Sequence, residues 1–153
     1  MPYTYDFPRP SVSVDAVIFK KEDERFLILL IQRGHYPFED MWALPGGFIE
    51  MEETLEESIA RELEEETGLK DLQLEQLHTF GDPRRDPRGR TITVAYQGIA
   101  GEKARVRAGD DARNARWFPI DAIPPLAFDH ERIINMALEK MNIMRGNDGS
   151  IHS

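Results

Sequence analysis

The sequence predicts an α/β fold, and three observations lead there. Several runs alternate apolar and polar residues, or stay apolar for the length of one strand, as in Ser11 to Lys20, Phe26 to Ile31 and Thr91 to Tyr96. Two other segments repeat apolar residues at helical spacing: Leu55, Ile59 and Leu63, then Ile133, Ile134, Ala137, Leu138, Met141 and Met144. Glycine, proline and charged residues punctuate the intervals.

Residues 1–10 hold Pro2, Pro8 and Pro10 among Tyr3, Tyr5 and Phe7, which predicts an extended arm rather than a helix. Such an arm is either a partly ordered tail or a segment that packs on another subunit or on a substrate base. Ser11 to Lys20 is the first strand, and Lys21 to Glu24 a polar turn. Phe26 to Ile31 is apolar throughout, as a strand covered on both faces should be. Gly34 and Pro37 mark a loop, and Met41 to Leu44 leads out of it, with Trp42 expected in the core.

Leu44-Pro45-Gly46-Gly47 turns the backbone sharply. Thr54 and Glu57 then form a capping box, and Gly68 closes the helix they open. Glu62, Glu65 and Glu66 share one region of that helix. Like charges at this spacing destabilise a bare helix by about a few tenths of a kcal/mol per pair. A divalent cation would offset the repulsion, and oxygen-only donors favour a hard ion such as Mg²⁺ or Mn²⁺. The plainer alternative is a solvated acidic face. Arg61, four residues before Glu65, suits an orienting partner.

Leu72, Leu74 and Leu77 suggest a further strand ending near Phe80. The stretch from Phe80 to Arg90 places Arg84, Arg85, Arg88 and Arg90 in an otherwise acidic chain, and its Pro83, Pro87, Gly81 and Gly89 exclude a helix. Arginine forks suit phosphate oxygens, although pairing with Asp82 and Asp86 would account for the same residues. Thr91 to Tyr96 is a strand, Glu102 to Asp111 is polar, and Trp117-Phe118 is a short strand before a final helix over Phe128 to Met144. Its methionine-bearing stripe fits a core, and residues 145–153 fit a frayed tail.

A length of 153 residues suits one domain, 1–153, and the absence of cysteine excludes disulfides and thiolate metal sites. A net charge of −9 argues against a nucleic-acid surface. No run suits a membrane span or a secretory signal, so a cytoplasmic protein is expected.

The segment from Gly47 to Leu69 resembles the Nudix box, Gly-x5-Glu-x7-Arg-Glu-U-x-Glu-Glu-x-Gly-U with U aliphatic. Gly47, Glu53, Arg61, Glu62, Leu63, Glu65, Glu66, Gly68 and Leu69 fill every defined position. The resemblance implies a mixed β-sheet sandwiched between helices, and metal-assisted attack of water on a nucleoside diphosphate linked to another moiety. It assigns the metal to Glu62, Glu65, Glu66 and the carbonyl of Gly46, with Mg²⁺ expected and Mn²⁺ possible. Arg61 joins the catalytic set as a brace, together with Glu53. Asp111, next to Asp110 in the loop before Trp117, is the first choice of general base, and Glu65 the second. Pro83, fifteen residues after Gly68, and the run Pro124 to Glu131 resemble the ADP-ribose branch. Arg84, Arg85, Arg88 and Arg90 are then expected to bind substrate with Pro83.

The leading expectation is hydrolysis of ADP-ribose to AMP and ribose 5-phosphate, by a homodimer. The alternatives are a Nudix hydrolase of a nucleoside triphosphate or dinucleoside polyphosphate, and a non-catalytic ADP-ribose sensor. Against the sensor stand the intact box, the acidic charge, and a chain that ends about where a DNA-binding extension would begin.

Overall fold

The computed structural model describes residues 2–109 and 112–143. Met144, the tail at 145–153, and the Asp110–Asp111 pair lie outside the described residues. The elements are β1 (Ser11–Glu22), β2 (Arg25–Arg33), β3 (Trp42–Ala43), β4 (Gly46–Phe48), α1 (Leu55–Thr67), β5 (Glu75–Phe80), β6 (Thr91–Ala100), β7 (Ala112–Pro119) and α2 (His130–Lys140).

β1 is the spine. It runs parallel to β6 from Ser11 opposite Thr91 to Lys20 opposite Ala100. Along the sheet the strands order β3-β2-β1-β6-β5, with β4 on β1 and β7 on β2. Because side chains alternate across a strand, β1 feeds two cores. Val17 and Phe19 pack with Ile133, Ile134, Ala137 and Leu138 of α2. Val14, Ala16 and Ile18 pack with Ile59 and Leu63 of α1. The result is a mixed sheet between two helices, as expected. Each fully buried aliphatic side chain contributes roughly 1.5–3 kcal/mol of transfer free energy.

The pairing of β1 with β2 is short, and that creates the cleft. It extends only from Phe19–Ile28 to Glu22–Arg25. Beyond that the N-terminal half of β1 pairs with β4, and the C-terminal end of β2 with β3. The loop that follows β4 and opens α1 therefore sits where the two strands part.

α1 has the expected ends: Thr54 Oγ1 accepts from the Glu57 amide, the Glu57 carboxylate accepts from the Thr54 amide, and Gly68 sits at φ 80°. Trp42 packs against the α2-side core, edge-on to Phe118 at 4.8 Å. Three boundaries differ from the sequence expectation. β5 begins at Glu75, because Asp71 turns the chain at φ 63° and Leu72 and Leu74 pack under α1 before the strand forms. β7 is eight residues rather than the Trp117-Phe118 pair. A bulge beside Gln32 and Arg33 spaces its buried Ala112 and Ala115 three apart, which hides the strand period. α2 starts at His130, since Phe128 at φ 54° is not helical.

Candidate active site

Two glycines bring the box loop against both of its neighbours. A β-carbon on Gly46 would run into the backbone carbonyl of Val14 on β1, and one on Gly47 would lie 2.6 Å from Glu62 Oε2. Only hydrogen at Gly46 lets β4 pair with β1, whereas a methyl at Gly47 would press on the flexible end of the Glu62 side chain. Gly46 N–H then donates to Glu66 Oε1 at 2.8 Å, joining the loop to the last turn of the helix.

Arg61 is the hub of the helix face. Its Nε donates to Glu53 Oε2 at 2.7 Å and its Nη2 to Glu53 Oε1 at 3.0 Å, a two-pronged pair. Ser58 Oγ donates to the same Glu53 carboxylate at 2.6 Å. These bonds hold the Glu53 carboxyl at about 2, far below its ordinary value, and raise the Arg61 guanidinium further. Arg61 Nη1 also reaches Glu62 Oε1 at 2.7 Å and Glu65 Oε1 at 3.2 Å. One guanidinium thus orients three carboxylates.

Glu66 behaves differently. Burial pushes its carboxyl up to about 8; the charges of Glu62 and Asp15 add to that, while the Gly46 amide and Arg33 oppose it. A divalent cation would reverse this preference, and the donor set of three glutamates on a one-turn stretch has the hard-oxygen chemistry such an ion takes. Among the described residues, no three His, Asp or Glu side chains converge on one point. Glu62 and Glu65 are turned to Arg61, and Glu66 to Gly46. Glu62, Glu65 and Glu66 could supply oxygen donors to such an ion.

One open cleft brings Glu66, alone of the three glutamates, together with basic side chains. Gly46, Gly47 and Glu66 line it with Arg33, Arg85 and Arg88; Asp15, His130, Phe48 and Phe128 complete the wall. The arginine loop is therefore divided. Arg85 is buried and forked onto Asp129, Nε to Oδ2 at 3.0 Å and Nη2 to Oδ1 at 2.8 Å. Arg88 is forked onto Asp86 at 3.0 and 2.7 Å. Arg84, Arg90 and Pro83 are exposed and do not line the cleft. Asp82, the alternative partner for the loop arginines, pairs instead with Arg132 at 2.8 Å.

The sequence assigns no individual role to several cleft residues, although Phe128 and His130 lie within the run Pro124 to Glu131. Arg33 sits at the end of β2, half-buried, its Nε donating to the Pro37 carbonyl at 2.7 Å; burial and the nearby Arg88 lower its pKa. His130 is fully buried, and burial lowers its pKa. Its Nδ1 accepts from the Leu44 amide at 3.0 Å, which puts the proton on Nε2, 3.6 Å from Asp15 Oδ1. Thr93 Oγ1 donates to the other Asp15 oxygen at 2.6 Å. A lone His at the start of a helix, and a lone Asp inside an apolar strand, carry no spacing that would single them out.

The NUDIX domain family matches residues 9–137. A Methanocaldococcus jannaschii protein described as ADP-ribose pyrophosphatase is 46% identical over 127 residues, 82% of this chain and 71% of its own length. The ADPR responsive transcriptional repressor NtrR of Acinetobacter baylyi is 36% identical over 141 residues, 90% of this chain but 56% of the repressor. The chain thus spans little more than half the length of that relative. Among solved structures, the NUDIX domain of Shewanella oneidensis NrtR complexed with ADP ribose superposes with a TM-score of 0.84 at 36% identity, covering 90% of this chain and 94% of that one.

Proposed function

The chain belongs to the NUDIX family, and from that premise we propose that it hydrolyses ADP-ribose to AMP and ribose 5-phosphate with the help of Mg²⁺, Mn²⁺ being the alternative ion. One observation carries the reading: a single cleft is lined both by Glu66, with Gly46 and Gly47, and by Arg33, Arg85 and Arg88. A pyrophosphate is the group that needs both. The Methanocaldococcus relative and the ADP ribose-bound Shewanella domain support the choice of substrate.

When bound, the divalent ion would neutralise the pyrophosphate and lower the pKa of a water molecule. The chain's own residues then do the rest. Water attacks one phosphorus, the bridging P–O bond breaks, and the two phosphates leave on separate products. The Gly46 amide fixes the Glu66 carboxylate, and Arg61, held by Glu53, orients Glu62 and Glu65. Arg61 is in this sense a positioning residue. The proton from water goes to a carboxylate, either Asp111 or Glu65. Arg88 and Arg33 serve the phosphates.

A second reading, an ADP-ribose-binding sensor, is favoured by the likeness to the Acinetobacter repressor. One assay separates the two: product analysis after incubation with ADP-ribose, nucleoside triphosphates and dinucleoside polyphosphates in Mg²⁺ and in Mn²⁺. AMP and ribose 5-phosphate are expected from ADP-ribose. Tight binding without turnover would favour the sensor, and cleavage of a triphosphate alone would change the substrate. The protein is taken to act in the cytoplasm as a homodimer; among the described residues no helix is long and apolar enough to cross a membrane.

A further inference from the structure

Asp129 is the N-cap of α2, where an aspartate ordinarily accepts a hydrogen bond from the first free amides of its own helix. It makes no such bond. Both of its carboxylate oxygens go instead to Arg85, at 2.8 and 3.0 Å, across 44 positions of chain. His130, the first helical residue, also turns its side chain away from α2. Its ring is buried, Nδ1 accepts from the Leu44 amide at 3.0 Å, and Nε2 lies 3.6 Å from Asp15 Oδ1. Two adjacent residues thus leave a local rule unused and hold two distant segments, which is the mark of residues that serve a site.

Those segments supply the two kinds of charge in the cleft. Leu44 leads through Pro45 into Gly46, whose amide bonds Glu66 at 2.8 Å. The Pro45 carbonyl accepts from the Ala16 amide at 2.9 Å, so the box entry is pinned by α2 at Leu44, by β1 at Pro45 and by α1 at Gly46. Arg85 stands three residues before Arg88 in the arginine loop. Asp82, three residues earlier, accepts from Arg132 in the same first turn of α2 at 2.8 Å. The turn is itself a firm reference. Ile133, Ile134, Ala137 and Leu138 bury α2 in the core, and the Ala127 amide just ahead of it donates to the Trp42 carbonyl of β3 at 2.8 Å.

We propose that Asp129 and His130 are paired positioning residues that keep the arginine loop and the box entry in register with each other. Asp129 sets Arg85, and with it the loop that carries Arg88. His130 sets Leu44, and with it Gly46 and the Glu66 carboxylate. The assignment rests on the hydrolase function proposed above, and it divides the labour of one helix turn. Loss of His130 should reach the metal end of the site, and loss of the Asp129 charge should reach the substrate end.

The test uses the full chain and reads Mn²⁺ binding without substrate, from the electron paramagnetic resonance signal of the free ion. His130→Gln leaves the Leu44 amide without its acceptor, whereas His130→Asn returns an oxygen near the place of Nδ1. Mn²⁺ should bind His130→Gln roughly tenfold more weakly than the wild type, and His130→Asn within about threefold of it. The kcat for ADP-ribose should fall in the same order, with KM nearly unchanged. Asp129→Asn should keep Mn²⁺ affinity and kcat, while KM, and the ADP-ribose Kd measured by calorimetry in EDTA, rise roughly tenfold. Thermal unfolding sets a temperature at which every variant is folded. A merely structural role would lower Tm and leave the Mn²⁺ affinity of the folded protein unmoved. Wild-type Mn²⁺ affinity in His130→Gln would overturn the proposal. So would equal losses in His130→Gln and His130→Asn, or a loss of Mn²⁺ affinity in Asp129→Asn as large as that in His130→Gln. A wild type that binds Mn²⁺ but leaves ADP-ribose intact would overturn the substrate instead, and the Mn²⁺ comparison would still decide the role of His130.

Discussion

The amide of Gly46 and the carboxylate of Glu66 lie 2.8 Å apart, a bond that ties a sheet strand to the last turn of α1. It satisfies one oxygen of a group that burial and neighbouring negative charge otherwise disfavour in its ionised form. A bound cation would favour the ionised form, and without one the stability of the site should depend on pH in a definite direction.

Glu66 has a folded pKa near 8 against an ordinary value of 4.5. Between those values the folded state holds a proton that the unfolded state has lost, so stability should fall as pH rises through that window. Glu66 is partly open to solvent, which limits the effect to roughly 1–3 kcal/mol. Metal-free thermal unfolding from pH 5 to 8 should show this slope, and Glu66→Gln should flatten it. Mg²⁺ should raise Tm of the wild type at pH 8 and not that of Glu66→Gln. A variant that unfolds far below the wild type at pH 5 would mean the carboxylate is structural.

Glu53 carries the opposite sign. Its folded carboxyl is held at about 2 by Arg61 and Ser58, so its contribution is complete above about pH 4.5 and is lost as pH falls towards 2. Glu53→Gln should therefore weaken the acid limb of the unfolding curve. Arg61→Lys keeps the charge but cannot bridge both Glu53 oxygens. Because the partners of metal-holding residues matter nearly as much as the residues, kcat should fall roughly 10- to 100-fold. A parallel rise in the Mg²⁺ concentration needed for half-activity would identify the loss as one of positioning.

The two box glycines should separate folding from chemistry. In Gly47→Ala the new methyl meets the Glu62 carboxylate, the far end of a flexible side chain. The fold should survive, with Tm within a few degrees, while a displaced Glu62 lowers activity about tenfold or more. In Gly46→Ala the methyl meets the backbone of Val14 and Asp15, which has nowhere to go. Soluble yield and Tm should drop together, before any assay of turnover. Equal behaviour of the two variants would show that the loop is looser than these contacts imply.

The sequence was most informative where structure is local. The capping box at Thr54 and Glu57, the Gly68 cap and the apolar stripe of Ile59 and Leu63 are set by residues within one or two turns, and all are found. The acidic face of α1 was legible for the same reason. What the sequence could not show is which distant groups share the cleft. Arg33, Asp15, Phe48, Phe128 and His130 come from four different elements and a loop, and meet only because β1 and β2 part after four residue pairs. The arginine loop could be read as basic, but its division between buried and exposed forks depends on Asp129, 44 positions away from Arg85.

That division makes the last prediction. Arg85 is 3% exposed at its side chain and bonded twice to Asp129, so it acts first as a fastener between the loop and the start of α2. Arg85→Ala leaves Asp129 without its cation in a largely buried place, at a cost of about 3 kcal/mol. Tm should fall by several degrees and KM should rise as the loop loosens. Arg84→Ala and Arg90→Ala remove exposed side chains outside the cleft wall, and neither Tm nor kcat/KM should change by more than about twofold in the kinetic constant. Arg88→Ala belongs to neither group: its fork stands in the cleft on Asp86, so KM for ADP-ribose should rise while Tm stays close to that of the wild type. A large loss of kcat/KM in Arg84→Ala or Arg90→Ala would mean that the whole loop folds onto the nucleotide, and would return those two residues to the substrate site.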